Sequence, residues 1–245
     1  MSKYTVILII VLLSFQSSYA QGNNIWYFGR KAGLNFNSSV PVVLYNSMMN
    51  ADEGASSICD DNGNILFYTN GVTVYNRKHE VMLNGDGLAG NISAVQSAII
   101  VPLPGSPDLY FIFTTDAVEN NFVNGYTYSM VDMARDNGFG EVISKNSLLW
   151  GSCTERMAAV RHADGVSVWL ITNDNNSNTF RSWLIDCSGI HLTPVVSSVG
   201  IVLNTHRLVN TGSIKVSPDG TQLCQTWFPD DAGLITLFSF LILTG

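Results

Sequence analysis

One pattern recurs along the 245-residue chain and leaves it few folds: a strand of small residues, a Gly-containing turn, then a strand rich in aromatics. Strands at 55–59 and 65–69 flank Asp61-Asn62-Gly63-Asn64, with a third strand at 72–76. The unit returns as 97–102 and 109–115 around Pro104-Gly105-Ser106-Pro107-Asp108, then 126–131. It returns again as 157–162 and 167–172 around Ala163-Asp164-Gly165, then 180–186. A fourth copy reads 213–217 and 222–228 around Pro218-Asp219-Gly220, then 234–240. Gly, Asn and Asp supply the positive φ that tight hairpins demand. Val, Ile, Phe, Tyr and Trp fill the later strands, as pleated half-buried surfaces favour.

The copies start at Glu53, Gln96, Glu155 and Thr211, so they are 43, 59 and 56 residues apart. Several strands per period of about 40–50 residues mark the blades of a propeller. The expected fold is therefore all-β, a β-propeller of four-stranded antiparallel blades, with loops such as 119–125 and 202–210 stretching the period. A β-sandwich is the alternative, but it does not call for similar hairpins at this long interval. The best helical candidate outside the N-terminus is a turn around 132–137.

The N-terminus stands apart. Lys3, an apolar run over 6–13, and Ser17-Ser18-Tyr19-Ala20 have the form of a secretory signal peptide cleaved after Ala20. The run is too short for a permanent membrane span, which takes about 20 residues. Residues 1–20 are thus expected to be a leader and 21–245 a single propeller domain that is exported. No integral membrane span is expected.

Charged residues make up 13% of the chain and the net charge is −7. Without a Lys/Arg cluster such a surface is a poor match for nucleic-acid phosphates or anionic lipid. Cys59, Cys153, Cys187 and Cys224 are widely spaced with no CxxC pair, and read mainly as small buried residues, with a disulfide of undetermined pairing as the alternative.

Glu53, Gln96 and Glu155 open successive modules and would ring one mouth of the central channel, either as a polar ligand site or as hydrogen-bond partners of neighbouring blades. Asp60, Asn62 and Asn64 alternate as oxygen ligands would for calcium, but Gly63 sits where a hairpin wants it. The four histidines share no ligand spacing, and neither an HExxH nor a GxSxG motif is present. No catalytic residue and no cofactor is assigned. Glu53, Glu155 or Asp116 could pair as glycosidase carboxylates, but only in three dimensions. Trp169, Trp183 and Trp227 are read as core; Trp150, beside Gly151 in a loop, is the candidate for stacking on a glycan.

Several blocks carry a family resemblance. Ser217-Pro218-Asp219-Gly220 resembles repeats of WD40-like and TolB-like propellers. Trp26-Tyr27-Phe28-Gly29, Glu53-Gly54 with the run 63–76, Gln96-Ser97 with Ile100-Val101-Pro102, and Thr154-Glu155 with Trp169 together resemble the N-terminal propeller of large secreted surface proteins of Bacteroidota. In that family the propeller precedes adhesin-like repeats and a C-terminal sorting domain for type IX secretion. The resemblance implies an extracellular or cell-surface location, and the periplasm if no sorting domain exists. It also implies a partner that is a protein or a glycan. Propellers of this style commonly close with six to eight blades. About four modules are expected here, so the chain reads as an incomplete arc with downstream blades or domains missing; a closed four-bladed ring is the alternative. The hairpin 25–36 would complete the last blade of a closed ring. The function expected is a non-enzymatic interaction module, with a polysaccharide hydrolase or lyase on the same scaffold as the alternative.

Overall fold

A computed structural model describes residues 23–203, 206–228 and 238–241. The expected leader, 1–20, and most of the predicted strand 234–240 lie outside the described residues.

The described chain is all-β, in five antiparallel sheets. The first holds β1 (Ile25–Phe28), β2 (Ala32–Asn35) and β3 (Val42–Leu44); the second holds β4 (Ser56–Cys59), β5 (Ile65–Thr69) and β6 (Val74–Asn76). The third holds β7 (Ala98–Pro102), β8 (Leu109–Thr115), β9 (Tyr126–Asp132) and β10 (Glu141–Trp150). The fourth holds β11 (Met157–Arg161), β12 (Val168–Asn173), β13 (Thr179–Asp186), β14 (Gly189–Ile190) and β15 (Val195–Ser198). The fifth holds β16 (Ile214–Val216), β17 (Gln222–Gln225) and β18 (Phe238–Leu241). Every strand pairs with its neighbour in sequence; in the fourth sheet β14 and β15 both pair with β13 and divide one outer strand between them.

The sheets are blades. Their first strands lie against one another in the order β1, β4, β7, β11, β16, as strands nearest a propeller axis do. The hairpin 25–36 forms a sheet of its own with β3 and packs through β1 on β4. In the second blade the segment after β6 acts as an irregular fourth strand, because Asn76, Val74 and Val72 exchange backbone bonds with Glu80, Met82, Gly85 and Leu88.

Packing follows from alternation along strands covered on both faces. On β8, Tyr110 and Ile112 point into the layer shared with Phe67 and Val74 of the second blade. Phe111 and Phe113 point the other way, into a layer with Leu170, Trp183 and Ile185 of the fourth. β12 repeats the rule: Leu170 faces the third blade, and Ile171 joins Ile214 and Leu223 of the fifth. Each fully buried side chain of this kind stabilises by roughly 1.5–3 kcal/mol, so these layers hold neighbouring blades together.

The inner hairpins also share one design. Gly63, Gly165 and Gly220 all have positive φ, and each amide donates to the carbonyl three residues back. In each turn an Asp carboxylate caps backbone amides: Asp60 those of Asn62 and Asn64, Asp164 those of Val166 and Ser167, and Asp219 that of Thr221.

β10 was not expected from the sequence. Its ten residues carry three register irregularities against β9, and Asn146 sits at φ 61° within it, so no clean alternation shows. The split strand of β14 and β15 was missed too, with all four β15 residues exposed. The expected helical turn appears as a short 3-10 turn, Asp136–Gly138; two more lie at Val118–Asn120 and Arg207–Asn210. All four cysteines are free thiols: Cys59 and Cys153 are buried, Cys224 is half-buried and Cys187 is exposed. Among the described residues no helix is long and apolar enough to cross a membrane.

Candidate functional site

In an antiparallel meander each reversal changes ends, so the loop after a blade's second strand and the connector to the next blade share one end. On that end the connectors join in a line. The Asp52 and Glu53 amides donate to Ile92 O at 3.2 and 3.1 Å, and Gly54 N donates to Ala94 O at 3.0 Å. Gln96 N then donates to Glu155 O at 3.2 Å, and Glu155 N to Asn210 O at 3.0 Å. Module starts far apart in sequence thereby become neighbours around the axis.

The three predicted mouth residues differ in fate. Glu155 is 1% exposed; its Oε1 accepts the Val118 amide at 2.9 Å and its Oε2 the Val95 amide at 3.1 Å. Burial pushes its carboxyl up to about 7, with Glu53 and Glu119 adding to the rise against the two amides. Gln96 Oε1 accepts from Ile214 N at 2.8 Å and Met157 N at 3.3 Å, while its Nε2 donates to Ile214 O at 3.3 Å. Glu53 stays exposed, its carboxyl raised by partial burial and then by Glu119 and Asp52. Glu53, Glu119 and Glu155 thus form an acidic neighbourhood at this mouth.

Beneath it lies a buried polar network centred on Arg156, with Asp116 nearby. Arg156 is completely buried, and among the described residues its guanidinium bonds to carbonyl oxygens rather than to a carboxylate. Nη1 donates to Asn173 Oδ1 at 2.9 Å, Nε to Thr226 O at 3.1 Å, and Nη2 to the Thr211 carbonyl at 2.9 Å and the Val209 carbonyl. Burial lowers its pKa to about 10, so it remains a cation at neutral pH. The Tyr126 hydroxyl lies 2.9 Å from Arg156 O and 3.0 Å from Asn173 O, and accepts the Thr154 amide at 3.1 Å. Asp116, also fully buried, caps its own loop: Oδ1 accepts Ala117 N, and Oδ2 accepts Asn124 N and Asn120 Nδ2. Arg156 had a sequence signal, since Gly54, Ser97 and Gly212 occupy its place in the other modules.

On the same end, a cavity of about 330 Å3 opens between the third, fourth and fifth blades. Its walls are Val118, Asn121 and Phe122 from the loop after β8, Asn175 and Asn176 from the loop after β12, and His206, Arg207 and Asn210 from the last connector. Asn210 ties two walls together: its Oδ1 accepts Asn176 N at 3.0 Å, and its Nδ2 donates to Asn176 Oδ1 at 3.1 Å. None of these residues was chosen from the sequence, because the walls come from three segments that the fold alone brings together.

The remaining sequence candidates lie elsewhere. Trp150 ends β10 rather than sitting in a loop; the Arg181 guanidinium covers one face of its ring at 3.8 Å, and Asp174 grips the same guanidinium with both oxygens. Asp60 turns both oxygens onto Asn62 and Asn64 of its own hairpin. Among the described residues no group of three or more His, Cys, Asp or Glu is placed to hold a metal ion. Trp183 and Trp227 are buried, and Trp169 is half-buried beside His162.

No family model matches the chain, and no curated protein matches it. Among solved structures it is similar to Saccharomyces cerevisiae Sqt1 at a TM-score of 0.31 and 9% identity, over 91% of this chain and 71% of that one. Strand order and inter-blade packing carry the fold assignment.

Proposed function

We propose that this protein is an exported, non-enzymatic binding scaffold that holds a protein or glycan partner on its connector face. One observation carries the reading: loops from three blades frame a polar cavity there, while the buried carboxylates beside it are engaged by backbone amides. A general acid needs a raised pKa and a path to substrate. Glu155 has the first, but both its oxygens accept amides inside the fold. Asp116 likewise caps its loop. The leader-like residues 1–20 and the resemblance to Bacteroidota surface propellers support export and a cell-surface site of action.

The test is retention without turnover. The purified protein is incubated with soluble polysaccharides of differing composition, and both depletion from solution and new reducing or unsaturated ends are measured. Binding with no new ends supports the scaffold. Ends that accumulate in proportion to protein, and vanish in Glu53→Gln, would establish the hydrolase or lyase alternative. Export is tested by N-terminal sequencing of protein recovered outside the cytoplasm, with residue 21 expected first.

A further inference from the structure

The fourth blade ends on its outer side in β15, and two backbone bonds fix which way the residues of that strand face. Asp174 N donates to Thr179 O at 2.9 Å, so Thr179 faces β12 and its alternate neighbours Phe180 and Ser182 face β15. Val199 N donates to Asn178 O at 3.0 Å, so Val199, Ser197 and Val195 turn their amides and carbonyls toward β13. Successive residues of a strand alternate in this respect. The amides and carbonyls of Val196 and Ser198 therefore point away from the blade, and among the described residues no strand pairs with them.

The neighbouring blades cover or shorten their outer edges. In the second blade the irregular segment after β6 covers the edge. In the third, Val142 N donates to Leu83 O, the Asn146 side chain bonds Ala89 N and Gly87 O, and three irregularities break the ladder. In the first, β3 is only three residues long. Natural edges are also guarded by charged side chains, yet no Asp, Glu, Lys or Arg occurs between Asp186 and Arg207. Leu192, Val195, Val196, Val199, Ile201 and Val202 are all exposed there. We propose that β15 is a dimerisation edge, which pairs antiparallel with β15 of a second copy about a two-fold axis at Ser197.

Register and charge favour a second copy as the occupant. With the axis at Ser197, Val196 lies opposite Ser198 of the second copy, and the two exchange both backbone bonds. Symmetry repeats the exchange, giving four ladder bonds. Side chains alternate between faces, so Val195 shares a face with Val199 and lies opposite Val199 of the second copy, an apolar cross-strand pair. Pro194, with no N–H to give, lies opposite Gly200 of the second copy, whose carbonyl already accepts Asn178 Nδ2 at 3.0 Å. Copies of a chain with net charge −7 repel one another, and this uncharged stretch lets two of them meet without opposing like charges. A two-fold contact of this kind closes on itself and stops at the dimer.

The contact is smaller than standard interfaces, which bury roughly 1,600 Å2, so the dimer is weak. Sedimentation equilibrium on the purified protein, from micromolar to several hundred micromolar, should show a reversible doubling of mass. Val196→Pro removes an amide that points away from β13. It should leave the urea midpoint unchanged and weaken dimerisation about tenfold or more. A second variant reads the register even if that one folds poorly. In a Cys187→Ser background, Ser197→Cys should form an intermolecular disulfide, because residues opposed at a non-hydrogen-bonded site have Cα atoms about 4.5 Å apart. Val196→Cys should not, since diagonal positions lie about 7–8 Å apart. A wild-type chain that stays monomeric at the highest concentration overturns the proposal, whether or not the edge takes up an extended strand of another protein. So does a dimer that survives Val196→Pro with its fold intact, or one in which Ser197→Cys forms no cross-link.

Discussion

The side-chain oxygen of Gln96 accepts the backbone amide of Ile214, 118 residues further on, at 2.8 Å. Its amide group returns a bond to the Ile214 carbonyl, and the same oxygen reaches Met157 N in the blade between them. One carboxamide thus links the entrances of three blades. Gln96→Glu would place a carboxylate beside the Ile214 carbonyl with no donor to offer it, and Gln96→Leu would orphan the Ile214 amide. Both should lower stability by about 1–3 kcal/mol, read as a lower urea midpoint at unchanged slope.

Arg156 should be the most sensitive residue of the connector network. Arg156→Leu strips donors from Asn173 Oδ1 and from the Val209, Thr211 and Thr226 carbonyls. A loss of about 3 kcal/mol or more is expected. Arg156→Lys keeps the charge but not the planar fork, and should fall between the two in chemical denaturation.

Glu155 predicts a pH dependence of definite sign. Its carboxyl is raised from the ordinary 4.5 to about 7 by burial, so the folded protein binds a proton that the unfolded chain has released between those values. Stability from this group is complete below about pH 4.5 and is lost as pH rises through about 7. Glu155→Gln should flatten that slope, seen as urea midpoints at pH 5, 6, 7 and 8. It should also be less stable than wild type at pH 5, since an amide offers one acceptor oxygen where Val95 and Val118 need two.

Two glycines separate close packing from open space. A Cβ on Gly54 would run into the Ser97 amide nitrogen and the Ala94 carbonyl of the next connector, whereas one on Gly151 meets nothing within 4 Å. Gly54→Ala should cost about 1–3 kcal/mol and Gly151→Ala should stay within about 0.5 kcal/mol of wild type, by thermal melting of the two variants side by side.

Thiol chemistry offers a check on burial. Cys187 is exposed, whereas Cys153 is buried and its pKa is pushed up to about 12, chiefly by burial. A disulfide reagent at pH 8 should label Cys187 within minutes and Cys224 more slowly. Cys59 and Cys153 should react only after denaturant is added. Rapid native labelling of four thiols would contradict the packing between the blades.

The repeat was legible in the sequence because its inner strands are buried on both faces. Leu109–Thr115 and Ile65–Thr69 end where their runs of aromatic and branched residues end. β10 and β15 escaped because outer strands are only partly covered, so Ser, Lys and Asn interrupt the alternation without penalty. The site divides along the same line. Recurrence placed Glu53, Gln96 and Glu155 around one mouth, but whether a side chain faces the channel or the interior depends on distant partners. Glu155 turns inward to amides 60 and 37 residues away. Asn175 and His206 have no recurring counterpart, and only the assembled blades bring them to one cavity.

The line of backbone bonds from Glu53 to Asn210 has a thermodynamic corollary. Among the described residues the blades that open at Glu53, Gln96 and Glu155 each borrow an entrance acceptor from the connector that follows. Local opening at any one blade therefore exposes polar groups in the next, and heat should disassemble the blades in a single calorimetric event instead of one after another, as stacked solenoid repeats can.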